Sequence, residues 1–215
     1  MARPRKDEHT PDACQRLSDA FWDLLETHQL NEITVGLLSS TAGVNRGTFY
    51  YHFDDINDMI DKLLKKEMFK NNFLPNMIFN MMTGVEQNLE KLAQEFFGEY
   101  FVKMGLLFDR GGYALVSGKV KKIVFELWTV ILLEEKQDMK LSTRMILEHS
   151  ISGVLGMITF AMQQDDPKKV MMESEPFRIS LADFLLGHIA QEENLTKEEV
   201  LSRILMTARF NLAAQ

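Results

Sequence analysis

Residues 33–60, ITVGLLSSTAGVNRGTFYYHFDDINDMI, decide how this chain is read. They spell a short helix, a tight turn, a second short helix and the start of a third. Thr34 stands at an N-cap position, its hydroxyl placed to accept from a backbone N–H one turn on. Val35, Leu38 and Ala42 recur at helical spacing, and Ser39 is small enough for another helix to cross close by. Gly43 ends the helix as a left-handed C′ residue, a conformation glycine adopts without steric cost. Val44 plugs the turn, and Asn45 caps a second helix predicted over residues 46–53. Phe49 and Phe53, four apart, share an inward face. Arg46, Thr48, Tyr50, Tyr51 and His52 reach outward, and residues 43–53 hold no acid. Two short helices fixed around a glycine turn are a device for projecting one helix end into a DNA major groove.

The run AGVNRGTFYYHFDD, with the helix after it, resembles the DNA-binding signature of the tetracycline-repressor (TetR) family of bacterial transcription regulators, over about residues 10–65. That resemblance implies an all-α protein: a three-helix, helix-turn-helix DNA-binding domain over residues 1–70, then a larger helical effector-binding and dimerisation domain over 71–215. It implies a homodimer on a double-stranded DNA operator, a repressor released by a small apolar effector. Thr34 and Tyr51 would bind phosphates, with His52 near the backbone. Asn45, Arg46, Thr48 and Tyr50 would face base edges, and Gly47 would allow close approach. Two positions depart from the family's pattern: Gly36, where a basic residue is frequent, and Asp54-Asp55-Ile56, where a lysine often opens the next helix. Carboxylates there would repel phosphates, unless Asp54 or Asp55 caps the following helix instead.

Charge weighs against unspecific nucleic-acid binding. The chain carries 24 Lys/Arg against 31 Asp/Glu, a net −7, and residues 1–70 alone hold nine against twelve. Placement matters more than the sum. The acids cluster on the first and fourth helices, at Asp19, Asp23, Asp58 and Asp61, while Arg3, Arg5 and Lys6 form a short basic arm. A helical dimer acting mainly through a protein partner is the competing reading. Salt titration separates the two, because phosphate binding weakens steeply with ionic strength.

A single cysteine, Cys14, excludes an internal disulfide and reads as a small core hydrophobe. No signal peptide is read at the start and no apolar run is read as a membrane span, so a cytoplasmic protein with no membrane partner is expected. His9, His28, His52, His149 and His188 are scattered without ligand spacing. No phosphate loop or nucleophile arrangement is present. No enzyme, metal or cofactor is therefore expected.

The rest of the chain also reads as helix. Thr10-Pro11 is a helix start, and Leu17, Ala20, Phe21, Leu24 and Leu25 trace one face. Ile56, Met59, Ile60, Leu63 and Leu64 form a second stripe, which breaks at residues 71–75. Helices are predicted over 83–104, 120–133 and 142–164, with Thr196 to Glu199 as a capping box opening the last. Eleven of the fourteen methionines follow residue 70. Methionine deforms and phenylalanine is bulky, so Phe97, Tyr100, Phe101, Met104, Trp128, Met157 and Phe160 are candidate pocket residues. Tyr113 and His149 are polar-tipped candidates for orienting a ligand. Ile151, Leu155 and Ile158, beside the small residues Ser152, Gly153 and Gly156 that permit close helix approach, are with Val200, Ile204 and Leu205 of the last helix the candidate dimer interface that the resemblance implies.

Overall fold

The computed structural model describes residues 12–83, 101–133 and 138–213. Among them all regular structure is helical, and the protein is all-α. Helix α1 spans Ala13–Thr27, α2 Val35–Thr41, α3 Arg46–His52 and α4 Ile56–Phe69. Helix α5 is Phe73–Thr83, α6 Phe101–Gly111, α7 Tyr113–Leu132 and α8 Leu141–Met162. Helices α9, Pro167–Glu173, α10, Glu175–Glu193, and α11, Lys197–Ala213, complete the described chain.

Local chemistry sets the helix starts. The Thr34 hydroxyl accepts from Leu37 N at 3.1 Å, and Asn45 Oδ1 from Thr48 N at 2.7 Å. Asp55 Oδ1 accepts from Asp58 N at 2.8 Å, so that acid is spent on capping α4. The last helix opens on the expected box: Glu199 N donates to Thr196 Oγ1 at 3.1 Å and Thr196 N to Glu199 Oε2 at 2.7 Å. The start of α1 is a correction. Asp12 is its cap, accepting from Cys14 N at 2.7 Å, while Thr10 and Pro11 lie outside the described residues.

The inner faces of α1 and α4 close over Leu38 and Phe49, both fully buried. The boundary expected at residue 70 coincides with a 3-10 turn, Lys70–Asn72, where Asn72 takes φ 54°. The core does not divide there. One hydrophobic cluster runs from Leu17 through the body to Ile204. Ion pairs also fasten α4 to the body: Asp61 to Lys119 at 2.7 Å, Glu67 to Lys103 at 3.0 Å and Glu126 to Lys65 at 2.8 Å.

Helix α8 corrects the expectation about apolar runs. By length and composition this 22-residue helix could cross a membrane, its most apolar 18-residue stretch having a mean hydropathy of 1.4. Arg144, Glu148 and His149 interrupt its apolar residues, which hides the run in the sequence. One face is committed to the body through Leu147, Ile151, Leu155 and Ala161. Its start is clipped to the end of α10, where Ser142 donates to Glu192 at 2.6 Å and Thr143 donates to Glu193.

Candidate nucleic-acid interface and apolar cavity

Helix α3 is seven residues long and would not persist alone. Phe49 and Phe53 hold it by burying their rings, 5.5 Å apart, against α1 and α4. The turn before it needs Gly43, at φ 63°, where any other residue is strained. Arg16 reaches from α1 to this turn and donates from Nη1 to Gly43 O at 3.4 Å and Ala42 O at 3.5 Å. Arg16 was not legible in the sequence, because its partners lie more than twenty residues away and are backbone carbonyls.

With Phe49 buried, helical geometry turns the neighbouring side chains outward. Tyr50 is 58% exposed and Tyr51 84%. Asn45, Arg46 and Gly47 are exposed, Thr48 and His52 half-buried, and Thr34 lies exposed at the start of α2. All eight residues expected at an interface thus lie on α3, its cap or the adjoining cap of α2. Two of them also serve the fold. Asn45 Oδ1 accepts from both the N–H and the hydroxyl of Thr48, the latter at 3.1 Å, which leaves the Asn45 amide N–H groups as its outward donors. An added Cβ at Gly47 would come within 3.1 Å of that Oδ1, so the glycine keeps the cap open.

Gly36 has a specific neighbour. A Cβ there would fall 2.5 Å from Arg46 Nη2, so the guanidinium lies back across α2 in the space the glycine leaves. Among the described residues no carboxylate pairs with Arg46. At the other end of α3, Lys62 donates to His52 O at 3.0 Å, sits 5.4 Å over the Phe53 ring and pairs with Asp58 at 2.8 Å. The hydrogen bond from Lys62, joined by one from Asp54 N, holds the Asp58 carboxyl below its ordinary value, and the same pairing raises Lys62. Of the acids beyond α3, Asp55 is engaged in a cap and Asp58 with a cation. Cys14 is half-buried against the core, and burial pushes its thiol up.

The body holds a partly open cavity of about 100 Å³ between α5, α6, α7, α8, the end of α4 and the middle of α10. Of the candidate pocket residues, Met104 and Trp128 line it. Phe97 and Tyr100 lie outside the described residues, as does the side chain of Phe101. Met157 is half-buried and not in the lining. Phe160 is 58% exposed on the opposite side of α8, so it is not a pocket residue. Tyr113 is 44% exposed, stacked on Phe108, and His149 is exposed, so neither orients a ligand in the cavity.

The candidate dimer residues are also corrected. Ile151, Leu155 and Ile158 face the cavity, and Val200 and Ile204 are wholly buried within their own chain. Leu205 is half-buried. Helical spacing identified these apolar positions but not which side of each helix meets the chain's own core. The outer stripe of α8 is instead Met145, His149, Gly153, Gly156 and Phe160, and open space surrounds both glycines. Helix α10 packs along α8 and has its own outer stripe of Phe177, Phe184 and His188.

Among the described residues no group of His, Cys, Asp and Glu converges as metal ligands. The chain matches no family model, no curated protein and no solved structure.

Proposed function

We propose that this protein is a sequence-specific, DNA-binding transcription regulator of TetR type, working in the cytoplasm as a homodimer. In this reading it is a repressor released from its operator by a small apolar effector. One observation carries the reading: the outward side of α3 concentrates Arg46, Tyr50 and Tyr51 while its inner side is wholly buried. Thr34 and Tyr51 bind phosphates and His52 lies near the backbone. Asn45, Arg46, Thr48 and Tyr50 read base edges.

One such helix offers few base contacts, so two are required, spaced about 34–36 Å apart to meet successive major grooves. The outer stripes of α8 and α10 supply the proposed dimer contact, a four-helix arrangement about a two-fold axis. Gly153 and Gly156 let the second chain approach, and Phe160, Phe177 and Phe184 supply the apolar area.

The test is fluorescence anisotropy on DNA flanking the protein's own gene, titrated with salt. The reading predicts a saturable site whose affinity falls steeply with ionic strength. Arg46→Ala should lose about 1–3 kcal/mol of discrimination at one base pair of each half-site and keep its melting temperature. Phe184→Asp should shift the particle to a monomer in sedimentation. Unchanged operator preference in Arg46→Ala, or a dimer indifferent to Phe184→Asp, removes the corresponding assignment.

A further inference from the structure

The chemistry of the cavity narrows what it accepts. Among its described lining residues none is charged, and only Ser150 and Trp128 carry a side-chain atom able to hydrogen-bond. Ser150 is 4% exposed, and among the described residues its Oγ has no hydrogen-bond partner. A helical serine ordinarily donates to the carbonyl four residues back. Ser152 does so on the same helix, to Glu148 O at 2.6 Å, and Ser18 does so to Cys14 O at 2.8 Å. Ser150 is different. Among the described residues its hydroxyl stands unpaired in a largely apolar wall, the condition that costs a folded protein stability and that a polar ligand group relieves.

We propose that the cavity takes a small uncharged molecule, mostly hydrocarbon and near benzene in size, whose single hydrogen-bonding group meets Ser150 Oγ. The size follows from the volume, which is about two-thirds of the roughly 150 Å³ of an apolar cavity that takes up benzene, so a guest of that size requires the wall to yield. Six methionines in the wall, Met68 and Met104 among them, give it room to reshape around a slightly larger guest. Anions and cations are disfavoured because the described wall offers no counter-charge to a buried ion. This inference rests on reading the body as the effector-binding part.

The test uses the full chain without DNA and four probes of one shape: benzyl alcohol, toluene, benzoate and benzylammonium. Binding is read from the methyl NMR signals of the methionines. Benzyl alcohol and toluene should shift the signals of the wall methionines but not that of Met206, which lies on the surface. The alcohol should bind about fivefold tighter than toluene, one neutral hydrogen bond's worth. Both ions should bind at least about tenfold more weakly than toluene. Ser150→Ala should remove the alcohol's advantage and leave toluene unchanged. Either ion binding as well as toluene, or neither neutral probe shifting the wall methionines, overturns the proposal. An alcohol advantage that survives Ser150→Ala overturns the Ser150 contact. With no DNA present, such a failure leaves the DNA-reading proposal standing, and a failure of the anisotropy assay leaves the cavity result intact.

Discussion

The amino-terminal helices and the carboxy-terminal body are built on different principles. From α1 to α4 each helix, down to the seven-residue α2 and α3, is fixed by a side-chain cap and a ring or aliphatic group of negligible exposure. The body is built around four helices of 17–22 residues, α7, α8, α10 and α11, joined by non-local packing, and it leaves a methionine-walled space at its centre. The first region holds a set of side chains in one place. The second keeps slack. A part that presents fixed groups to a rigid partner gains from tight local determinants, whereas a part that admits a guest gains from deformable ones.

Paired truncations test that contrast most strongly. Phe49→Ala should cost about 3–5 kcal/mol, since its fully buried ring is the main anchor of α3. Leu147→Ala, equally buried but on the cavity wall, should stay near the lower end of the roughly 2–5 kcal/mol range, because neighbouring methionines can close over the gap. Urea melts of both variants check the order, and equal losses would mean the body is packed as tightly as the head.

A smaller effect isolates the local determinants. Asn45→Ala removes the cap of α3 and the Thr48 hydroxyl contact together, at a cost of about 0.5–2 kcal/mol in thermal unfolding. Gly36→Ala works the other way. It should stabilise α2 by up to about 1 kcal/mol through helix propensity, while displacing the Arg46 guanidinium from its resting place. A variant more stable than the parent but altered in DNA affinity would separate the glycine's structural cost from its service to Arg46. No change in affinity would detach Arg46 from that contact.

The smallest effect is electrostatic. The Asp58 carboxyl is held below its ordinary value mainly by Lys62, so its contribution is complete above the usual aspartate range, near 4. It fades as pH falls through the lowered value. Asp58→Asn should therefore lower the melting temperature slightly at neutral pH, and the two curves should converge in acid. A constant offset at every pH would assign the effect to lost packing.

Legibility followed the same division. Thr34, Gly43, Asn45 and the Thr196–Glu199 box act on backbone groups within a few residues, so their roles were written in local sequence and hold in the fold. The outward set on α3 was legible because Phe49 and Phe53 fix which way a short helix must turn. The body was harder to read. Ile151, Leu155, Val200 and Ile204 show helical spacing whether they face their own core or a second chain, and only packing distinguishes the two. Phe160 reads as a core aromatic until neighbouring helices leave it on the outside.

What the sequence determined by itself was the helical character, the turn and caps around α3, and the residues they present, because caps, glycine conformation and apolar spacing act over one or two turns. Only the tertiary structure decided that the core runs unbroken past residue 70, that Arg16 holds the turn before α3 and Lys62 the far end of that helix, and that Ser150 stands unpaired among the described residues of an apolar cavity. Those facts depend on contacts between residues far apart in the chain, and a periodic pattern carries no record of which face meets which neighbour.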